Sequence, residues 1–455
     1  MLLFGSPLVA DMSFEEWQQR DNQAFVNYQT QMEKEFVEML KGEWKEYHRK
    51  RVIKHYDKPK PPQQPIYKPQ PKPQEIIKVT PKPQKIEPLP TLPKKQEIAG
   101  FTKLRFDFFG IDIEILYNKK LKFEIDTISA LNIANFWDRQ SSNNHQSLIK
   151  EIKEYQESYN LDGWATYLLV REITNRVTST ANSQNLLQWF ILLKLGVDVK
   201  VGFSSDSISL LVYNSRILYG FSSFIVNGKR YYNLNETNHT KLQIYRDDMS
   251  NLYALEFLDK QIKLPSNVKN REIRFSYKNR AYIFNIPYNQ NLVKYYKNYP
   301  QLDYIEYRRV SKASQSFISQ QLSPIIANMS EIDAINFLLR LTQNGFKYKR
   351  DDENFGKEKV LFFDETLAYE YSDCEDRAIF FSILIRELLH LDLVFIRYPN
   401  HLATAISLKS DIGGDSVIHN SKKYYIADPT YNNANIGKAM PQLKGHKIKI
   451  LTIRN

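Results

Sequence analysis

Apolar residues recur every eleven positions near the start of the chain. Phe14, Phe25, Phe36 and Tyr47 form one row, and Trp17, Tyr28 and Met39 form a second. Eleven residues fill three turns at about 3.67 residues per turn, close to the natural helical period, so both rows stay on one face. The pattern predicts a long, nearly straight amphipathic helix over residues 11–57. Its stripe, residues 12–55, needs a partner. The pattern leaves open whether that partner is the protein's own body, a second copy or another molecule.

The periodicity then breaks. Residues 58–97 hold 12 of the chain's 20 prolines, mostly in Lys-Pro units. Such a segment supports neither helix nor ladder and stays extended as polyproline II. It predicts a semi-rigid linker with a reach on the order of 120 Å.

From about residue 100 the pattern is that of a globular α+β chain, and it repeats. "LRFDFFGIDIEILYNKKL" (104–121) and "IRFSYKNRAYIFNIPYNQNL" (273–292) both predict a hairpin with Arg-Phe in its first strand. "LLQWFILLKLGVDVKV" (186–201) matches "FFSILIRELLHLDLVF" (380–395), 194 residues further on. "KRYYNLNET" (229–237) matches "KKYYIADPT" (422–430) in the same order. Three ordered matches predict a duplicated module.

The second half carries the candidate chemistry. Ile332, Ile335, Leu338 and Leu339 share a face and predict a helix over 331–344. From Ala378 to Leu389 almost every position is apolar, which predicts a helix buried all round. Ser372 or Asp373 can cap it, placing Cys374 in its first turn. Free N–H groups and the helix dipole there favour a thiolate, so a thiol pKa below the free value of about 8.5 is expected. A thiolate also needs a base, and the base an orienting group. His401 starts a strand after a Tyr-Pro-Asn turn, and Asp428 ends another strand just before Pro429. Neighbouring strand ends would bring imidazole and carboxylate together. His48 and His55 fall in the N-terminal helical region, and His390 closes the buried helix.

Composition narrows these readings. The 455 residues include 29 Tyr and 26 Phe, enough apolar surface for two or three cores. Cys374 is the single cysteine, which excludes an internal disulfide and a Cys-rich zinc site. Half of the +12 net charge lies in residues 58–97, where it solvates the linker, so no nucleic-acid partner is expected. No apolar run is long enough to span a membrane. The opening "MLLFGSPLVA" (1–10) reads as a truncated signal peptide. With the spacer it points to a periplasmic or otherwise exported protein, a cytoplasmic one being the alternative.

The order Cys-helix, His-strand, Asp-strand resembles the transglutaminase-like superfamily of papain-like cysteine enzymes. "SDCEDRA", "YPNHLATA", "ADPTY" and "NIGKAMP", after "KYKRDDENFGKEK", look like a bacterial branch of it. The resemblance covers about residues 331–441. It implies a Cys helix packed on an antiparallel sheet, with Cys374 as nucleophile, His401 as base and acid, and Asp428 orienting His401. It also implies an oxyanion hole built from the Cys374 backbone N–H and an upstream side chain, for which Gln343 and Tyr348 are both candidates. No cofactor or metal is implied.

In the first half Cys374 falls opposite Thr180, His401 opposite Ser207 and Asp428 opposite Asn235. Residues 98–250 therefore read as a degenerate copy, 251–325 as a β-rich connecting region and 326–455 as the catalytic domain. The expected activity is amide or peptide hydrolysis, or acyl transfer, on a peptide or protein substrate. The alternative is an inactive scaffold or peptide-binding protein.

Overall fold

The computed structural model describes residues 14–56, 60–69, 72–81, 89–90, 92–235, 239–246 and 251–453. Residues 1–10 lie outside these, as do the side chains of Phe14, Trp17 and Phe25. Helix α1 spans Phe14–Gly42, shorter than the stripe predicts. Trp44 donates its indole N–H to the Leu40 carbonyl (2.6 Å), satisfying one of the acceptors that a helix end leaves free. The chain then enters strand β1 (Trp44–His48), so Tyr47 belongs to a strand. Only the end of α1 is covered. Phe36 packs against Trp137, Trp189 and Tyr245, whereas Tyr28 and Met32 stay exposed. The partner of that covered part is the protein's own body.

The Lys/Pro-rich stretch is not a free spacer. Residues 60–69 lie on the C-terminal half, and β2 (Glu75–Val79) joins a sheet as a parallel edge strand. Further on, the Pro90 carbonyl accepts the Tyr159 hydroxyl (2.8 Å). The described parts are held by proline carbonyls that accept hydrogen bonds, by the buried Lys60 and by the proline-free β2, which pairs as a ladder.

The first half opens with the antiparallel hairpin β3 (Phe101–Phe108) and β4 (Ile111–Asn118). Helices α2 (Ala130–Ser141), α3 (Gln146–Ser158), α4 (Gly163–Val177) and α5 (Ala181–Lys194) follow. Strands β5 (Val199–Phe203), β6 (Ile208–Tyr213), β7 (Ser223–Val226), β8 (Lys229–Asn233) and β9 (Lys241–Tyr245) build a sheet of order β1-β9-β5-β6-β8-β7.

The second half opens with the hairpin β10 (Val268–Tyr277) and β11 (Arg280–Asn289). Between residues 290 and 326 the chain is largely helical, through α6 (Gln290–Tyr296), α7 (Lys312–Ser316) and α8 (Ser323–Ile326). The expected β-rich connection is therefore confined to one hairpin, because the apolar positions that follow it recur at helical spacing. Helix α9 (Glu331–Asn344) packs on β10, where Phe337 meets the rings of Phe275, Tyr277 and Tyr282. After the short β12 (Lys347–Tyr348), α10 (Asp351–Asn354), α11 (Phe363–Ala368) and β13 (Tyr371–Ser372) comes α12 (Cys374–Leu389). Strands β14 (Leu393–Arg397), β15 (Leu402–Ile406), β16 (Ser416–His419), β17 (Lys422–Ala427) and β18 (Lys449–Thr452) form a sheet of order β16-β17-β15-β14-β18.

The whole is α+β with mainly antiparallel sheets. The strand series β9-β5-β6-β8-β7 and β18-β14-β15-β17-β16 run in the same order, with every neighbouring pair antiparallel. A buried helix lies against each series, α5 on β5 and β6, α12 on β14 and β15. Among the described residues no helix is long and apolar enough to cross a membrane.

Candidate functional site

Helix α12 is buried from Cys374 to Ile385 because α9 and α11 cover one side and the sheet the other. Its start is held by charge. Asp373 occupies the N-cap, and the Asp376 carboxylate accepts the Asp373 N–H (3.1 Å) and the Leu361 N–H (2.8 Å). Cys374 is the first helical residue, so its own N–H has no intrahelical acceptor. Helix α12 packs on β15, and the backbone N–H of Leu402, the residue after His401, acts to lower the thiol pKa.

His401 sits immediately before β15, and Asp428 immediately after the paired strand β17. His401 Nε2 lies 2.9 Å from Asp428 Oδ2, both side chains being buried. Asp428 Oδ1 accepts the N–H groups of Thr430 (2.9 Å) and Tyr431 (3.3 Å), which fixes the carboxylate in place. A carboxylate can only accept, so Nε2 carries a proton toward Asp428. Among the described residues Nδ1 is buried without a hydrogen-bond partner.

The thiol is covered by a segment from the other end of the chain. The Tyr56 hydroxyl lies 3.7 Å from Cys374 Sγ and donates to Glu375 Oε2 (3.1 Å). The thiol itself donates to the same oxygen (3.1 Å). Lys60 places its ammonium 2.7 Å from Asp373, 2.7 Å from Glu358 and 3.1 Å from Asp351, and also pairs with Glu375. Burial pushes the Cys374 thiol well above its ordinary range, and the Glu375 and Asp373 charges push the same way. Lys60 and the Leu402 N–H pull against them without prevailing. The lowered thiol pKa expected from the helix terminus is therefore reversed in this covered state. Burial likewise raises Asp351 and Glu375, and lifts Asp373 to about 8. Lys60, which burial alone would discharge, is held protonated by Asp373, Glu375 and Asp351.

The two oxyanion candidates differ in what they touch. Gln343 spends its amide on the carbonyls of Asp428 (3.0 Å) and Ala434 (3.1 Å), and its oxygen accepts from Asn433 N–H (3.0 Å) and Arg340. It holds the loop after β17. The Tyr348 hydroxyl instead donates to a peptide carbonyl, that of Pro61 (2.8 Å). In the first half Thr180 caps α5, Ser207 lies 2.7 Å from His239 Nε2, and Asn235 bonds to Asn185.

Tyr56 and Lys60 belong to the site, yet no local pattern marked them; Asp351 and Glu358 fall within "KYKRDDENFGKEK", which gave them no individual role. Lys60 sits in a Lys-Pro run that reads as solvated charge, and its burial depends on a fold contact 313 residues away in Asp373. Tyr56, Lys60, Asp351 and Glu358 line a cleft of about 610 Å³ together with Tyr219 and Phe221 of the first half. The chain matches no protein-family model, and no curated protein or solved structure is detectably similar to it.

Proposed function

We propose that this chain is a thiol-dependent amide or peptide hydrolase, or acyl transferase, built on a transglutaminase-like, papain-like core. His401 carries the reading: its Nε2 donates to Asp428, and its buried Nδ1 makes no hydrogen bond among the described residues, which leaves that nitrogen open to serve as the base. The matching strand orders support two copies of one module, the first without a thiol nucleophile or a histidine at the position of His401.

In the proposed mechanism Nδ1 takes the Cys374 proton as sulfur attacks the amide carbonyl. The oxyanion accepts from the Cys374 N–H and from Tyr348, whose hydroxyl already holds a peptide carbonyl. Nδ1 then protonates the departing amine, leaving a thioester. Water, deprotonated by Nδ1, or a second amine attacks that thioester and restores the thiol. Asp428 stabilises the imidazolium throughout.

The covered, high-pKa thiol favours a second reading, an inactive peptide-binding scaffold. Acylation decides between them. The protein and its Tyr56→Ala variant are exposed to an activated acyl ester, and intact mass is recorded. The hydrolase reading expects one acyl group on Cys374, formed roughly a hundredfold more slowly or worse in His401→Ala. Equal acylation with and without His401 leaves the scaffold.

A further inference from the structure

Three features of the covering segment stand apart from ordinary chain packing. Its backbone is bound as an added strand would be: Tyr67 N–H donates to the Asn432 carbonyl (2.9 Å), and Asn432 N–H to the Pro65 carbonyl (2.8 Å). The Pro61 carbonyl is held by Tyr348 (2.8 Å), and Gln64 spans the carbonyls of Gln343 (2.9 Å) and Thr430 (3.2 Å). The contacts at Pro61, Pro65 and Tyr67 use only the segment's backbone, so any extended peptide of similar shape can make them, whereas those of Gln64 need its side-chain amide; polyproline conformation lowers the ordering cost.

The Lys60 pocket is also oversupplied with charge. Asp351, Asp373 and Glu375 are all buried around one ammonium, with Glu358 at the rim. A structural ion pair needs one carboxylate, and each further buried one costs desolvation. Asp373 Oδ1 still has no hydrogen-bond partner among the described residues, although fully buried. Finally, Glu375 accepts from both the thiol and Lys60, so the bound ammonium is registered against the nucleophile. The 610 Å³ cleft gives this pocket an entrance.

We propose that Tyr56 and residues 60–68 occupy the peptide-binding groove as an internal stand-in for substrate, and that Asp351, Asp373 and Glu375 form a lysine-recognition subsite. The ligand class is an extended, proline-containing peptide bearing a lysine. This rests on the hydrolase reading only for what happens to the ligand, not for its binding. The resting protein is then self-blocked, and a substrate must displace its own chain segment.

The test uses the full chain and its single thiol. Iodoacetamide modification of Cys374 is followed by intact mass in wild type, Lys60→Met and Tyr56→Ala. Opening the groove should accelerate modification at least about tenfold, in proportion to the open population. Tyr56→Ala leaves the Lys60 ion pairs in place and remains readable if Lys60→Met folds poorly. A synthetic peptide of residues 56–68 is then titrated into the Tyr56→Ala, Lys60→Met double variant carrying Cys374→Ala, with fluorescence anisotropy as readout. Binding is expected, weakened at least about tenfold when the peptide's own lysine at position 60 is Met, since that interaction is charge-assisted and buried. Because this protein lacks the thiol, the result is independent of acylation. Unchanged modification rates in natively folded variants, or equal binding of the two peptides, would overturn the proposal.

Discussion

Burial, reinforced by the Glu375 and Asp373 charges, pushes the Cys374 thiol up and favours its protonated form in the covered molecule. Glu375 is the largest of the charged influences: it raises the thiol and accepts its hydrogen. Glu375→Gln removes that charge at nearly constant shape, so the midpoint of the pH profile for Cys374 alkylation should move down. The profile of the wild type should rise only above the free-thiol range of about 8.5. A midpoint that stays put or rises in Glu375→Gln would show that burial alone sets the value. The placement of Cys374, His401 and Asp428 at element ends was legible in sequence because the patterns of α12, β15 and β17 are strong. The sign of the thiol shift was not, because burial sets it first, and part of the cover comes from Tyr56, 318 residues earlier in the chain.

At the scale of elements, the legible parts are those with local causes. Helix α9 has Ser330 as its cap and a clear apolar face, and it begins and ends where the pattern puts it. Helix α1 stops early because Trp44 caps it and pairs into a sheet, a tertiary event. The Lys/Pro-rich segment was opaque for the same reason: its contacts are with loops hundreds of residues away. Its carboxylate pocket has a thermodynamic consequence. Asp373 is raised to about 8 from an ordinary carboxylate value. Its contribution to stability is complete below about pH 4 and is lost as pH rises through 8, since the folded state holds a proton that the unfolded chain releases. His55, stacked between Tyr219 and Tyr304 and lowered to about 3 by burial, acts oppositely, but its contribution is already complete above about pH 6.5. Between pH 6.5 and 8 the carboxylates therefore dominate. The melting temperature should fall across that window, at up to about 1.4 kcal/mol per pH unit for each whole proton. Asp373→Asn should flatten the fall. Parallel melting curves for the two proteins would assign the pH dependence elsewhere.

At the scale of the whole molecule, the two halves share one core. Apolar packing runs without a break from Phe36 and Trp189 in the first half to Phe363 and Phe380 in the second. A polar joint reinforces it. Asp162, the cap of α4, accepts the hydroxyls of Tyr295 (2.5 Å) and Tyr299 (2.8 Å), which belong to the second half. Cooperative unfolding is the consequence, and Cys374 reports on it from one side only. Trp189 is fully buried in the first half, against Phe36, Trp137 and Tyr245, and donates to the Tyr245 hydroxyl (3.0 Å). Truncation to alanine leaves a large cavity and removes one hydrogen-bond partner of the Tyr245 hydroxyl, a loss of about 3–5 kcal/mol. If the halves unfold together, Trp189→Ala lowers the urea midpoint equally for far-ultraviolet circular dichroism and for thiol labelling of Cys374. A circular-dichroism midpoint that drops while the Cys374 midpoint stays in place would mean that the halves unfold independently, and that the shared core couples them too weakly to act as one unit.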